Sequence, residues 1–230
     1  MKTSLNILYE DNHIIAVNKF NNDLTHKDIT RDLSLEEKIK HYIKNKYNKP
    51  GKVFLGTVHR LDRPVSGAVI FARTSKALSR LNKMLRENEI SKKYWAIVKN
   101  KPPKKQDTIV NYLIKNQKQN KSYTYEKPVL KSKEAILEYQ MITKSNNHYL
   151  LEINLITGRH HQIRTQLANI NCPVKGDLKY GFSKANEDGS IHLHSREISF
   201  IHPVKKNLIK IIADPPKENI LWRSFLNIIT

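Results

Sequence analysis

Cysteine occurs once in this chain, at Cys172, so no internal disulfide can form and the sequence suits a reducing compartment. Glycine and proline are sparse, 7 and 9 in 230 residues, and no internal repeat is visible, which excludes repeat architectures. No apolar run is long enough to cross a bilayer, and the N-terminus lacks the apolar core of a signal peptide. Neither a membrane partner nor secretion is expected; a cytoplasmic location is. Acidic residues are also short: 21 Asp and Glu stand against 41 Lys and Arg, a formal net charge of +20. That excess points to a polyanionic partner, RNA or DNA ahead of a membrane surface. Lysine far outnumbers arginine, and together with abundant Asn and Ile this bias can reflect genome base composition. Part of the charge therefore need not touch phosphate. A chain of 230 residues can bury a sizeable core, as one domain or as two fused lobes.

What is present centres on Gly56-Thr57-Val58-His59-Arg60-Leu61-Asp62-Arg63-Pro64-Val65-Ser66-Gly67. Apolar residues flank it: Val53, Phe54 and Leu55 before, and Ala68-Val69-Ile70-Phe71-Ala72 after. The second run is short, continuous and rich in branched or aromatic side chains, and so predicts a fully buried strand. Pro64 fixes its own φ and removes a donor. A short polar loop is thus held at the mouth of a core strand, a rigid mount for a reactive group. Asp62 lies between two arginines, and nearby positive charge favours its carboxylate. Such a carboxylate can attack a glycosidic carbon. It can equally be half of a structural Asp–Arg salt bridge at a turn, and these residues alone do not separate the two readings.

His-Arg-Leu-Asp followed by Ser-Gly resembles the catalytic-loop signature of the RluA family of pseudouridine synthases. Three further blocks occur in the family's order. They are Lys92-Lys93-Tyr94-Trp95-Ala96-Ile97-Val98, Thr157 to Arg164 continuing through Pro173 to Gly181, and Leu193-His194 through Phe200-Ile201-His202-Pro203. The likeness runs from about Ile7 to Pro216. It implies an α+β pseudouridine-synthase catalytic fold. A mixed, mainly antiparallel sheet would be bent into two lobes flanked by helices, with Asp62 in the cleft between them. Asp62 would be the catalytic carboxylate on a flipped-out uridine of structured rRNA or tRNA. Arg164 would be the arginine paired with it, and Tyr94 the tyrosine against the uracil. Whether Asp62 attacks C1′ or removes the 2′ proton stays open, as does a proton role for Tyr94, whose phenol is a poor base near its ordinary pKa of about 10. RNA contacts would fall to Arg60, Arg63, Arg159, His161 and Gln162, with Arg60 filling the gap left by the flipped base or bracing the loop. His59 reads as a loop-shaping residue. The isomerisation needs no energy input, so no cofactor and no metal are expected.

The chain departs from the family pattern in four places. Phe20 follows Lys19 where Pro is usual, His160 replaces Thr, Gln166 replaces His, and Asn171 replaces Gly. Few residues precede Ile7, which leaves no room for the S4-type RNA-binding domain of many relatives. One catalytic domain over residues 1–230, acting as a monomer, is the expectation.

In chain order, Ile7-Leu8-Tyr9 and Ile14 to Val17 predict a hairpin about Asp11-Asn12. Ser34-Leu35-Glu36-Glu37 has the spacing of a capping box, with a helix to about Tyr47 stopped by Lys49-Pro50-Gly51. Thr74 or Ser75 caps a second helix, ending near Glu89. Strands follow at Lys92–Lys99 and Thr108–Lys115. Lys115 to Lys133 is basic, with Tyr123 and Tyr125 interleaved; a single-stranded RNA contact and a mobile surface loop are equally open. A hairpin follows, Ala135 to Met141 and His148 to Ile156, turning at Asn146-Asn147. A helix begins at Arg159 or His160 and runs through Asn169. Two strands, Ile191–Ile201 and Asn207–Ala213, precede a last amphipathic helix whose face carries Ile220, Leu221, Phe225 and Ile228.

Other functions fit less well. A non-catalytic RNA- or ribosome-binding protein suits the charge but does not explain Asp62, Tyr94 and Arg164 occurring in order. A kinase would need a Gly-rich loop and Asp-Phe-Gly, and neither is present. A metal site on His160-His161, or on His192 and His194, lacks a completing ligand set, and adjacent histidines on a helix point apart.

Overall fold

The computed structural model describes residues 5–26, 32–145 and 147–229. Contacts divide the chain into two units, residues 1–90 with 195–214, and residues 91–194 with 215–230.

The first unit is built around β4 (Ser66–Ala72), every residue of which is buried. Antiparallel to it runs β2 (Ile14–Lys19), in register from Ile14 opposite Ala72 to Lys19 opposite Gly67. β1 (Asn6–Glu10) completes the expected hairpin, and Asp11 closes its turn by accepting the amides of His13 and Ile14 at 2.8 Å each. β3 (Gly56–Thr57) also pairs with β4, and β10 (Leu193–Ile201) lies beside β4 and carries β11 (Leu208–Ile212). Strand alternation sends Ile14, Ala16, Ala68, Ile70 and Ala72 into one core, where Ala77 and Leu81 of α2 (Ser75–Arg86) meet them. Ile15, Val17, Val69 and Phe71 face the other way and are equally buried, which is why β4 reads as a continuous apolar run.

Gly67 has φ +117°, and a Cβ there would lie 2.4 Å from the Ser195 carbonyl oxygen. No other residue type fits. α1 (Leu35–Lys46) starts with the predicted capping box: Ser34 Oγ accepts the Glu37 amide, and the Glu37 carboxylate accepts the Ser34 amide. α2 is capped by Thr74 but stops at Arg86, short of Glu89, because Asn88 turns into the left-handed region at φ 56°.

The second unit is an antiparallel sheet of β5 (Ser91–Val98), β9 (His148–Leu155), β8 (Lys133–Ser145), β6 (Gln106–Asn116) and β7 (Lys121–Tyr125), in that spatial order. β6 is longer than expected. β7 corrects the loop reading of Lys115–Lys133, since its side chains alternate between a buried Ser122 and exposed tyrosines. Asn146 lies outside the described residues; Ser145 pairs with His148 across that turn.

α3 (Gln162–Asn169) covers one sheet face, where the buried Gln166 amide donates to the carbonyls of Ile109 and Ala135. It begins later than expected, because Arg159 and His160 form a turn and His161 takes φ 54°. α4 (Ile220–Ile229) covers part of the opposite face, with Trp222 and Phe225 against Trp95, Ile97 and Leu150. Of the apolar face expected there, Phe225 is buried and Leu221 packs beside it, but Ile220 and Ile228 are exposed and Trp222 is a further anchor.

Candidate active site

The Asp62 loop is held from inside. Lys19, at the end of β2, is 1% exposed, and its ammonium donates to the carbonyl oxygens of Phe20 (3.0 Å), Arg63 (3.1 Å) and Val65 (2.6 Å). Three acceptors match the three protons of an ammonium. Burial pulls its pKa down to about 7, against the opposing pull of the Asp23 and Asp62 carboxylates. The Asn22 amide donates to the Arg63 carbonyl at 2.9 Å, and the Thr25 hydroxyl to that of Leu61 at 3.1 Å. The Val65 amide closes a turn on the Asp62 carbonyl at 3.0 Å, with Pro64 where no donor is needed. His59 shapes the loop as expected, its Nε2 accepting the Ile70 amide at 3.2 Å.

Around this backbone, Asp62 is half-buried and Arg60 exposed. Arg63 points to the surface, where its guanidinium meets Asp32 at 2.8 Å.

In the second unit, Tyr94 is buried and sits opposite Ile153 in the β5–β9 register. Ile153 pairs in turn with Tyr139, and alternation along β8 and β6 places Ala135 and Asn111 on that same face, beneath α3. Tyr94 and the helix bearing Arg164 therefore share one face of this sheet. Arg164 is itself 5% exposed, and Asp177 holds it as a fork: Nε to Oδ2 at 2.6 Å and Nη2 to Oδ1 at 2.9 Å. The Tyr180 ring lies 5.1 Å from the guanidinium carbon. The Tyr180 hydroxyl accepts the Ser122 amide at 2.8 Å and meets His161 Nδ1 at 2.9 Å.

Two readings change here. Gln162 is buried, and its carboxamide is used by the protein: Oε1 accepts the Thr157 hydroxyl and the Arg159 amide, and Nε2 donates to the Ile136 carbonyl. It braces the turn before α3, so the RNA contact expected of Gln162 gives way to a structural task. His160 and His161 do not diverge on a helix. Both precede α3, and their rings stack at 3.7 Å. Arg159, also outside the helix, is exposed and donates through Nε to the Glu134 carbonyl.

Sequence reasoning gave no role to Lys19, Asp177 or Tyr180. Asp177 and Tyr180 stood inside a recognised block, and Lys19 ended a strand that is apolar from Ile14 to Val17. Lys92 was likewise overlooked. It lies on the Tyr94 side of β5 with its ammonium near Gly158, and burial lowers its pKa. Among the described residues no hydrogen bond or ion pair holds that ammonium.

The family model described as RNA pseudouridylate synthase matches residues 13–169, a span containing Lys19, Asp62, Tyr94 and Arg164. The chain belongs to this family. Its relatives identify it further as an RluA-type pseudouridine synthase. It is 35% identical over 215 residues to ribosomal large subunit pseudouridine synthase C of Buchnera aphidicola subsp. Baizongia pistaciae, covering 90% of this chain and 66% of the relative. It is 30% identical over 227 residues to ribosomal large subunit pseudouridine synthase D of Borreliella burgdorferi, covering 95% and 67%. The chain thus spans about two thirds of the length of these curated relatives. Human RNA pseudouridylate synthase domain containing 4 shares the fold, with a TM-score of 0.79 at 20% identity over 96% of this chain and 92% of that one. No helix among the described residues of this synthase-family chain is long and apolar enough to cross a membrane.

Proposed function

We propose that this chain acts as one catalytic domain that isomerises uridine to pseudouridine in structured RNA. The observation that carries the reading is the Asp62 loop: a carboxylate on a turn whose carbonyls are fixed by a buried ammonium, within the span matched by the synthase family. The reaction breaks C1′–N1, turns the base and forms C1′–C5. The proton leaving C5 is balanced by one gained at N1. The uridine must leave its stack to be reached.

Asp62 is the group acting at the glycosidic bond. The family resemblance gives Arg164 the task of keeping that carboxylate ionised, and Tyr94 that of lying on the uracil. The bidentate grip of Asp177 pre-sets the Arg164 plane before substrate arrives. Arg60, Arg63 and Arg159 are exposed, which suits phosphate contacts, and half-buried His161 lies in the turn that starts at Arg159. The names of the relatives favour large-subunit ribosomal RNA as substrate.

The test is pseudouridine mapping of total rRNA and tRNA in cells lacking the gene, rescued with wild type or Asp62→Asn. Sites restored by wild type alone establish the activity and name the substrate. Asp62→Asn protein should bind the substrate RNA within about 3-fold of wild type, because one half-buried carboxylate contributes little to a contact made by many phosphates. Restoration of a lost site by Asp62→Asn would remove Asp62 from the mechanism.

A further inference from the structure

The β6–β7 hairpin has two unlike faces. Ser122 and Thr124 point to α3 and are tied to it. Ser122 Oγ bonds His160 at both Nδ1 and the carbonyl oxygen, the Ser122 carbonyl accepts the Thr165 hydroxyl, and Thr124 bonds Asn169. Tyr123 and Tyr125 alternate with them and so face away from α3. The register sets Tyr125 opposite Tyr112 and Tyr123 opposite Ile114. Tyr123 and Tyr125 are 39% and 40% exposed although the strand beneath them is anchored. The Lys121 ammonium sits 5.5 Å from the centre of the Tyr123 ring and 5.3 Å from that of Tyr180. Exposed Lys115, Lys118, Lys127, Lys131 and Lys133 surround the hairpin, against Glu126 and Glu134.

Lysines alone would guard the edge of a sheet against pairing with another chain. Tyrosines on the flat of the strand do nothing for that purpose. Alternate residues of a strand lie about 6.6 Å apart. That is roughly twice the 3.4 Å rise of a stacked nucleic-acid strand, the spacing of neighbouring bases that have left their own stack to lie on separate rings. Each ring face suits any base, and the lysines suit the phosphates between them. A second copy of this chain would instead bring one lysine-rich surface against another.

We propose that the outer face of this hairpin is a stacking platform for unpaired nucleotides of the substrate, with Tyr123 and Tyr125 each receiving a base. This rests on RNA being the substrate, and it adds a site away from the reacting uridine's own residues.

The experiment uses the full chain with Tyr123→Ala, Tyr125→Ala, the double variant and the two Tyr→Phe controls. The probes are a labelled oligouridine single strand and an RNA duplex of equal charge, at fixed salt. Each alanine should weaken single-strand binding about 5- to 100-fold, with duplex affinity unchanged. The Phe variants, which keep the ring, should stay within about 2-fold. Thermal unfolding of each variant distinguishes loss of the platform from loss of the fold. Alanine variants that are folded and bind the single strand like wild type overturn the platform while leaving the proposed activity standing. A change in sedimentation with unchanged RNA affinity would assign the face to self-association and also overturn it. Wild-type protein that binds neither probe would overturn the RNA reading on which the platform depends.

Discussion

Replacing Lys19 by methionine removes an ammonium while keeping a side chain of similar length. In the folded protein that ammonium donates to the carbonyls of Phe20, Arg63 and Val65. Two of these carbonyls keep a backbone partner in the variant, since Phe20 also accepts from the Asp23 amide and Arg63 from the Asn22 amide. The Val65 carbonyl, the shortest of the three contacts, sets most of the cost. A buried acceptor deprived of its donor costs ~1–3 kcal/mol. Removing a desolvated charge returns part of what the lost contacts cost. The net loss is ~2 kcal/mol, which for a chain of this size lowers Tm by about 4–8 °C.

The dependence on pH carries a sign. The folded pKa of Lys19 is depressed to about 7, while the unfolded chain keeps a value near 10.5. Between these values the unfolded state binds more protons, so wild-type stability rises with pH through that window. The methionine variant lacks this term. The gap in stability between wild type and variant therefore widens from pH 7 to pH 9, by no more than ~2.7 kcal/mol. Three carbonyl acceptors favour the charged form, which makes this an upper bound. Thermal denaturation at several pH values measures both effects, and pseudouridine formation by the same samples should fall at least about 10-fold as the Asp62 turn loosens. A Tm within about 1 °C of wild type, with a gap that does not change with pH, would refute the reasoning.

Removing Asp177 leaves the buried Arg164 charge without its bidentate partner, so Asp177→Ala should cost ~3–5 kcal/mol, read by urea denaturation. His192 is buried between Asn186 and Asn219, and burial draws its pKa down to about 4. The unfolded chain therefore binds more protons between about pH 6.5 and 4, and stability should fall by up to ~3.4 kcal/mol as pH drops through that window. Acid unfolding of His192→Gln should lack that component. Lys92→Met should weaken RNA binding and reduce the slope of log affinity against log salt by about 1, if its ammonium meets a phosphate. An unchanged slope would place Lys92 off the RNA path.

The fold was legible where local patterns decide structure. Ser34 and Glu37 satisfy first-turn amides within four residues of one another, so the start of α1 could be read from spacing alone. The all-apolar run of β4 announced burial on both faces. Readings failed where a distant partner overrode the pattern. The start of α3 is set by Gln162 reaching back to Thr157 and Arg159 and outward to Ile136. β7 is ordered by Ser122 and Thr124 meeting Thr165 and Asn169 of α3 some forty residues later, and composition alone did not show the strand. Ile220 fitted a helical stripe as well as Trp222 did, and only the sheet beneath α4 chose between them.

The same distinction divides the residues of the candidate site. Asp62 was visible because its neighbours in sequence are also its structural setting: Arg63, Pro64 and Val65 form the turn that presents it. Lys19 was invisible because its role lies 44 and 46 residues away, in the carbonyls of Arg63 and Val65, and backbone carbonyls leave no mark on composition. A lysine closing an apolar strand looks like the point where the strand meets water. Here it marks the reverse, since β2 and β4 carry it inward. The register that reveals it sets Lys19 opposite Gly67, at the end of β4 next to Val65, one of the carbonyls that its ammonium reaches. Asp177 follows the same logic: its carboxylate has meaning only once α3 has turned Arg164 inward. Motif reading thus finds the candidate reactive group, whereas the groups that hold the candidate site in place become readable only through strand register and helix phase.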